Sequence, residues 1–284
     1  MPVPAILLLL ASASLHALWN LILKKSTEKY IAMGWQVMAG GAIAFICLPF
    51  TGFPARSVWI FLAISVLLET IYFILLSNAF TDHDFSLVYP IARGAAPAFL
   101  LAWSVAFLQE KLTAGGILGV GLIVSGMIVI GATSLVRNPA NKFHIKGILI
   151  ALSVALLISL YTFVDGYAVK DASPLTYGLA MFALVPIPTT IYNLRKYGWG
   201  KFSSAWGASR GTLSLAAILG IFSYLFALFA YSLAPVSYSG AIREVSVVIG
   251  AFLGWQFLGE KMGGMRVLGA LIIFAGILII AVVG

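Results

Sequence analysis

The sequence predicts an all-α integral membrane protein: ten transmembrane helices arranged as two inverted five-helix repeats. Three observations carry that expectation. Of 284 residues, 62% are hydrophobic and 9% charged, and the mean hydropathy is +1.06, which leaves too little polar surface to solvate a globular exterior. Apolar stretches punctuated by charges or Gly/Pro clusters follow one another, each near the ~20 residues that cross hydrocarbon as a helix. The chain also matches itself at an offset of 150 residues. Windows such as ILLLLASASL and LGALIIFAGILIIAVV are apolar on every face, as spanning helices are and alternating barrel strands are not. A large extramembrane catalytic domain is excluded by the same composition.

Taken in order, the first stretch, 3–23, lacks a basic leader and carries His16, Trp19 and Asn20, so it reads as a mature helix rather than a signal peptide. The second, 31–50, holds Cys47, which as a single cysteine forms no internal disulfide. The third, 58–79, places Ser65, Glu69 and Tyr72 on one face. In the fourth, 85–107, Pro90 and Pro97 flank Arg93 and free backbone carbonyls, so a bend or local unwinding is expected beside the arginine. The fifth, 113–133, and the tenth, 264–283, carry glycines without central charges, the pattern of close helix contact. Asp165 lies near the end of the sixth, 147–168, and is expected at the membrane interface. The seventh and eighth, 175–193 and 211–232, leave a basic connection between them. The ninth, 235–257, traces Ser239, Arg243 and Ser246 along one face without internal prolines.

Sorting the connections by alternation puts twelve Lys/Arg residues on one side, from Lys24 and Lys25 to Lys201 and Arg266, against Arg56, Lys111 and Lys170 on the other. By the positive-inside rule the first side is cytoplasmic and both termini face outward. The net charge of +8 is explained by these connections and anionic headgroups, so nucleic acid is not an expected partner. A compact multi-pass chain without a targeting extension points to a bacterial inner membrane.

At the 150-residue offset Arg93 falls on Arg243, Glu110-Lys111 on Glu260-Lys261, Gly119 on Gly269 and Gly126 on Gly276. Two units follow, 1–136 and 145–284. Five crossings are an odd number, so the second unit enters upside down, and an inverted pair offers two near-equivalent packings, one open to each side. Arg93 and Arg243 each lie eight residues into their stretches, ~12 Å deep at 1.5 Å per residue, and approach the midplane from opposite faces. A guanidinium at that depth requires a partner, water or a ligand. The substrate-binding candidates are Arg93, Arg243, Tyr89, Glu69, Tyr72, Trp19 and Ser239, with Tyr161 and Tyr224 as further aromatic walls. His16, Glu69, Asp165 and Glu244 are candidates for proton coupling, because a buried carboxyl or imidazole can exchange a proton for a charged partner.

The segments LVYPIARGAAPAFLLAWSVAFLQEKLTAGGILGVGLIVSGMIVIG and SGAIREVSVVIGAFLGWQFLGEKMGGMRVLGALIIFAGILIIA, each ending in Glu-Lys and a glycine-rich helix, resemble the ends of the two repeats of EamA transporters, in the drug/metabolite transporter superfamily. HALWNLILKKS is similar to that family's first helix. The resemblance implies a ten-helix exporter of amino acids or other small solutes with a central cavity between the halves. Together with the arginines, it leads to the expectation of a secondary active exporter of a small organic anion or zwitterion, coupled to a proton or another ion. Membrane lipids are expected partners, and a homodimer through the glycine-rich helices is a further one. No cofactor or metal is called for. The alternatives are a membrane-embedded enzyme acting on lipid headgroups, for which no metal motif or nucleophile arrangement is present, and a channel, for which no polar ring is apparent. Transport lost on Arg93→Ala but kept on Gly119→Ala would separate site from scaffold.

Overall fold

A computed structural model describes residues 1–26, 28–82, 85–137, 145–259 and 263–283; the side chains of 29, 76–90, 131–137, 145 and 208 fall outside that description. The chain forms α1 (Val3–Lys24), α2 (Lys29–Thr51), α3 (Trp59–Asp82), α4 (Phe85–Phe107), α5 (Ala114–Arg137), α6 (Ile145–Asp171), α7 (Pro174–Leu184), α8 (Pro186–Leu233), α9 (Val236–Arg243), α10 (Val245–Leu258) and α11 (Gly264–Val283). Among the described residues eight helical stretches are long and apolar enough to cross a membrane, and Ile91–Phe107 and Ala114–Ile130 are shorter apolar helices. Polarity is inverted relative to a water-soluble bundle. Phe45, Phe50, Phe274 and Val282 stand exposed, while Ser12, Glu69, Arg93, Asp165 and Glu244 are buried. Lipid tolerates the first set, and only the interior can satisfy the second.

Helix packing carries an internal symmetry consistent with an inverted repeat. α1 packs on α8, α9 and α10, while α6 packs on α3 and α4; α2 lies against α7 and α8, and α5 against α11. Thus α1 is held by helices of the later part of the chain, and α6 by helices of the earlier part. Reciprocal bonds fasten one of these contacts: the Ser12 hydroxyl donates to the Ser223 carbonyl at 2.6 Å, and the Ser223 hydroxyl to the Ser12 carbonyl at 2.8 Å. Between α5 and α11 the backbones nearly touch. A Cβ on Gly119 would lie 2.8 Å from the Gly276 carbonyl oxygen, and one on Gly126 2.6 Å from that of Gly269. The expected small-residue contact is therefore made within the chain, and a homodimer through the same helices would have to use their other faces.

Two expectations are corrected. The helix through Arg93 keeps its helical form from Phe85 to Phe107 past both prolines, so the chain does not unwind beside the arginine, whereas the seventh span is divided between α7 and α8 at Val185, before Pro186, and the ninth between α9 and α10 at Glu244. There the Glu244 amide bonds the Ala241 carbonyl and the Val247 amide bonds the Glu244 carbonyl, a tightened turn that re-aims the chain at its charged pair. The basic connection after the seventh span is also helical. α8 bends at Gly198, whose φ of 76° suits glycine, and again at Ser209. The segment between these bends packs Phe202 and Trp206 on Trp35 of α2, with ring centroids 4.4 and 4.6 Å apart.

Candidate functional site

Both arginines reach one interior crevice. Arg93, Pro97, Tyr161, Tyr231, Arg243 and Glu244 are among the residues that line it. It lies where α4, α6, α8 and α9 converge, so residues from both parts of the chain form its walls. Arg93 is buried, with Nε 2.9 Å from the Glu244 carboxylate, and its Nη2 donates to the Ser246 hydroxyl at 3.0 Å. The second arginine is held differently. Arg243 Nη1 donates to the Tyr231 hydroxyl at 2.7 Å, and its guanidinium stands 5.1 Å from the centroid of the Tyr224 ring, within cation–π range. No carboxylate of the described residues forms an ion pair with Arg243.

Behind Tyr224 lies a buried carboxylate. Asp165 is completely buried, and it accepts hydrogen bonds from the Tyr177 hydroxyl at 2.7 Å and from the Tyr224 hydroxyl. Two tyrosines from other helices thus supply the donors that let a carboxylate stay buried. Glu69 is also buried and within electrostatic reach of Asp165 and Arg243. Tyr72 meets Tyr161 with ring centroids 5.7 Å apart, and Tyr161 meets Tyr224 at 6.4 Å, an aromatic row linking Glu69's helix to Arg243. His16 packs edge-on against Trp19, 4.8 Å between centroids, within the fields of both arginines. Ser239 is buried, and its hydroxyl has no hydrogen-bond partner among the described residues. The side chain of Tyr89 lies outside the described residues. Of the candidates, then, Arg93, Arg243 and Glu244 line the crevice, Asp165 and Glu69 stand behind its aromatic wall, and His16 and Trp19 lie on α1.

A model of the EamA-like transporter family matches residues 3–132 and again residues 145–282. The chain belongs to the EamA-like transporter family. Membrane transport is thereby its general function. No curated protein matches. A solved structure, described simply as the crystal structure of a protein, is similar with a TM-score of 0.76 at 15% identity, covering 98% of this chain and 96% of the other; at that identity the likeness is one of fold.

The Glu-Lys pair that marks the end of the first repeat of this EamA chain has a structural use. The Glu110 carboxylate accepts bonds from the amides of Val236 and Ser237 and from the Ser237 hydroxyl, capping the start of α9 from the opposite part of the chain. Lys170 donates to the Ala234 carbonyl at 3.0 Å, closing α8 beside it. Glu260 and Lys261 lie outside the described residues. Sequence reasoning did not single out Tyr177 or Tyr231, because a tyrosine in an apolar stretch looks the same whether it anchors at a headgroup or serves a buried ion.

Proposed function

We propose that this chain is a secondary active transporter which exports a small organic anion or zwitterion, such as an amino acid or related metabolite, by alternating access. In this reading ten spans form two five-helix units, 1–136 and 145–284, inserted in opposite senses in a bacterial inner membrane with the termini outward. Support comes from the exchanged packing of first helices, the double family match and the twelve-to-three division of basic residues. The observation that carries the reading is the shared crevice of Arg93 and Arg243, residues at corresponding positions of the two units.

The arginines divide the work. Arg93 is neutralised by Glu244, whereas Arg243 holds a phenol and an aromatic face, and so it is the cation suited to a substrate's negative group. Glu69 is placed to receive an ammonium group or a proton, with His16 as a second coupling candidate, and Tyr72, Trp19 and Ser239 as neighbouring contacts. Such a chain needs no catalytic residue. The test is flux of radiolabelled amino and organic acids in proteoliposomes. Arg243→Ala is expected to abolish substrate-dependent flux while Gly121→Ala, at a position with no atom near a new Cβ, preserves it. Flux retained in folded Arg243→Ala protein would overturn the assignment.

A further inference from the structure

A second crevice, open to the outside, lies away from the arginines, between α2, α3 and the first leg of α8. Its two ends differ in chemistry. Met33, Val37, Phe73 and Ile74 form an apolar floor, and Tyr30 and Asn193 lie toward the end where α2 begins and the first leg of α8 finishes. Asn193 is 8% exposed and lines the crevice. Gly34 makes room for it: a Cβ there would lie 2.5 Å from the Asn193 amide nitrogen. Three positions along α8 from Asn193, Lys196 Nζ stands 5.5 Å from the ring centroid of Tyr192, which lines the crevice, and 5.3 Å from that of Tyr197.

The same end of the bundle carries exposed Lys24, Lys25, Arg195 and Lys201, against exposed Glu28. A ligand that fits must be amphipathic, must bring one or more negative charges and hydrogen-bond acceptors to Asn193 and Lys196, and must lay an apolar tail along Met33, Val37 and Phe73. Beyond the crevice the first leg of α8 continues the apolar path with exposed Ile187 and Ile191. We infer that this crevice binds one anionic phospholipid, its phosphate at Asn193 and Lys196 and one acyl chain along the α2–α3 floor. Basic, aromatic-rimmed gaps between spanning helices recognise lipid headgroups in this way, through charge at the surface and apolar contact below it. The inference is independent of the transport reading.

Native mass spectrometry of the full chain in mild detergent tests it, with phosphatidylglycerol and phosphatidylcholine of identical acyl chains as probes. Phosphatidylglycerol is expected to be retained about five-fold over phosphatidylcholine, and Lys196→Gln to cut its occupancy about five-fold, the effect of one cation near a membrane surface. Asn193→Ala should lower it as well. Lys201→Gln, an exposed change outside the crevice, should leave it unaltered, and glycerol phosphate at equal concentration should give no adduct. Equal retention of the two lipids, equal losses in Lys196→Gln and Lys201→Gln, or a glycerol phosphate adduct of matching occupancy would each overturn the site. Lys196 is exposed, so its substitution keeps the test decisive should Asn193→Ala fail to fold.

Discussion

Removing Glu244 should leave the Arg93 guanidinium buried without its counter-charge. The two groups are 2.9 Å apart with side chains 9% and 5% exposed, and at an effective dielectric of ~20 unit charges at that separation attract by about 6 kcal/mol. Desolvation consumes much of that attraction, so the pair as a whole adds little, yet breaking it from one side costs about 3–5 kcal/mol. The two single variants should differ. A lone carboxyl can escape by taking up a proton, whereas a guanidinium stays charged, so Glu244→Leu should destabilise more than Arg93→Met. The double variant should recover most of the loss, giving a coupling energy of about 3 kcal/mol or more. Reversible unfolding in mixed micelles measures all four proteins. Single-variant effects that add to within ~0.5 kcal/mol would refute the ion pair as an energetic unit.

Gly126→Ala should destabilise by about 1–3 kcal/mol because its methyl meets the backbone of Gly269 and Ile273 as well as the Ile273 side chain, and Gly121→Ala on the same helix should be neutral or slightly stabilising; the order of their thermal midpoints checks this. Gly119 faces Gly276 in the same close contact, so it cannot serve as the neutral control that the sequence suggests. Glu110→Ala should cost about 1–2 kcal/mol through loss of the α9 cap, read from the same midpoints, with partial rescue by Glu110→Gln. Tyr224→Phe keeps the ring beside Arg243 but deletes a donor to Asp165; stability should fall by about 1.5–3 kcal/mol, and an unchanged midpoint would remove Tyr224 from the carboxylate's support.

Particular residues show how much of this could be read in advance. Membrane residence, helical class and the positions of the spanning stretches were legible because hydrocarbon imposes a length and a polarity that composition records directly. The glycines of α5 and α11 were legible as a packing pattern, since close backbone approach needs a missing Cβ. The site was legible only as scarce charges at depth. Arg93 and Arg243 stood out, but nothing in their spacing distinguished the arginine that meets Glu244 from the one that meets Tyr231 and Tyr224. The partners of Asp165 were not legible, because its distance from a helix end says nothing of which tyrosines approach from elsewhere. The unwinding expected beside Pro90 and Pro97 is absent, while the seventh span is divided at Val185, before Pro186, and the ninth by a tightened turn at Glu244.

What the amino-acid order determined by itself was the solvent this protein lives in, its helical division and the twofold recurrence of its rare residues, because each of these is a local cost against lipid that no tertiary arrangement can remove. Partnership was decided by the fold alone: Arg93 with Glu244, Asp165 with Tyr177 and Tyr224, Glu110 with the start of α9, and Asn193 over Gly34. Such pairs join residues 12 to 159 positions apart, and the short range of hydrogen bonds and buried ion pairs makes their energies depend on ångström-scale approach that only packed helices establish.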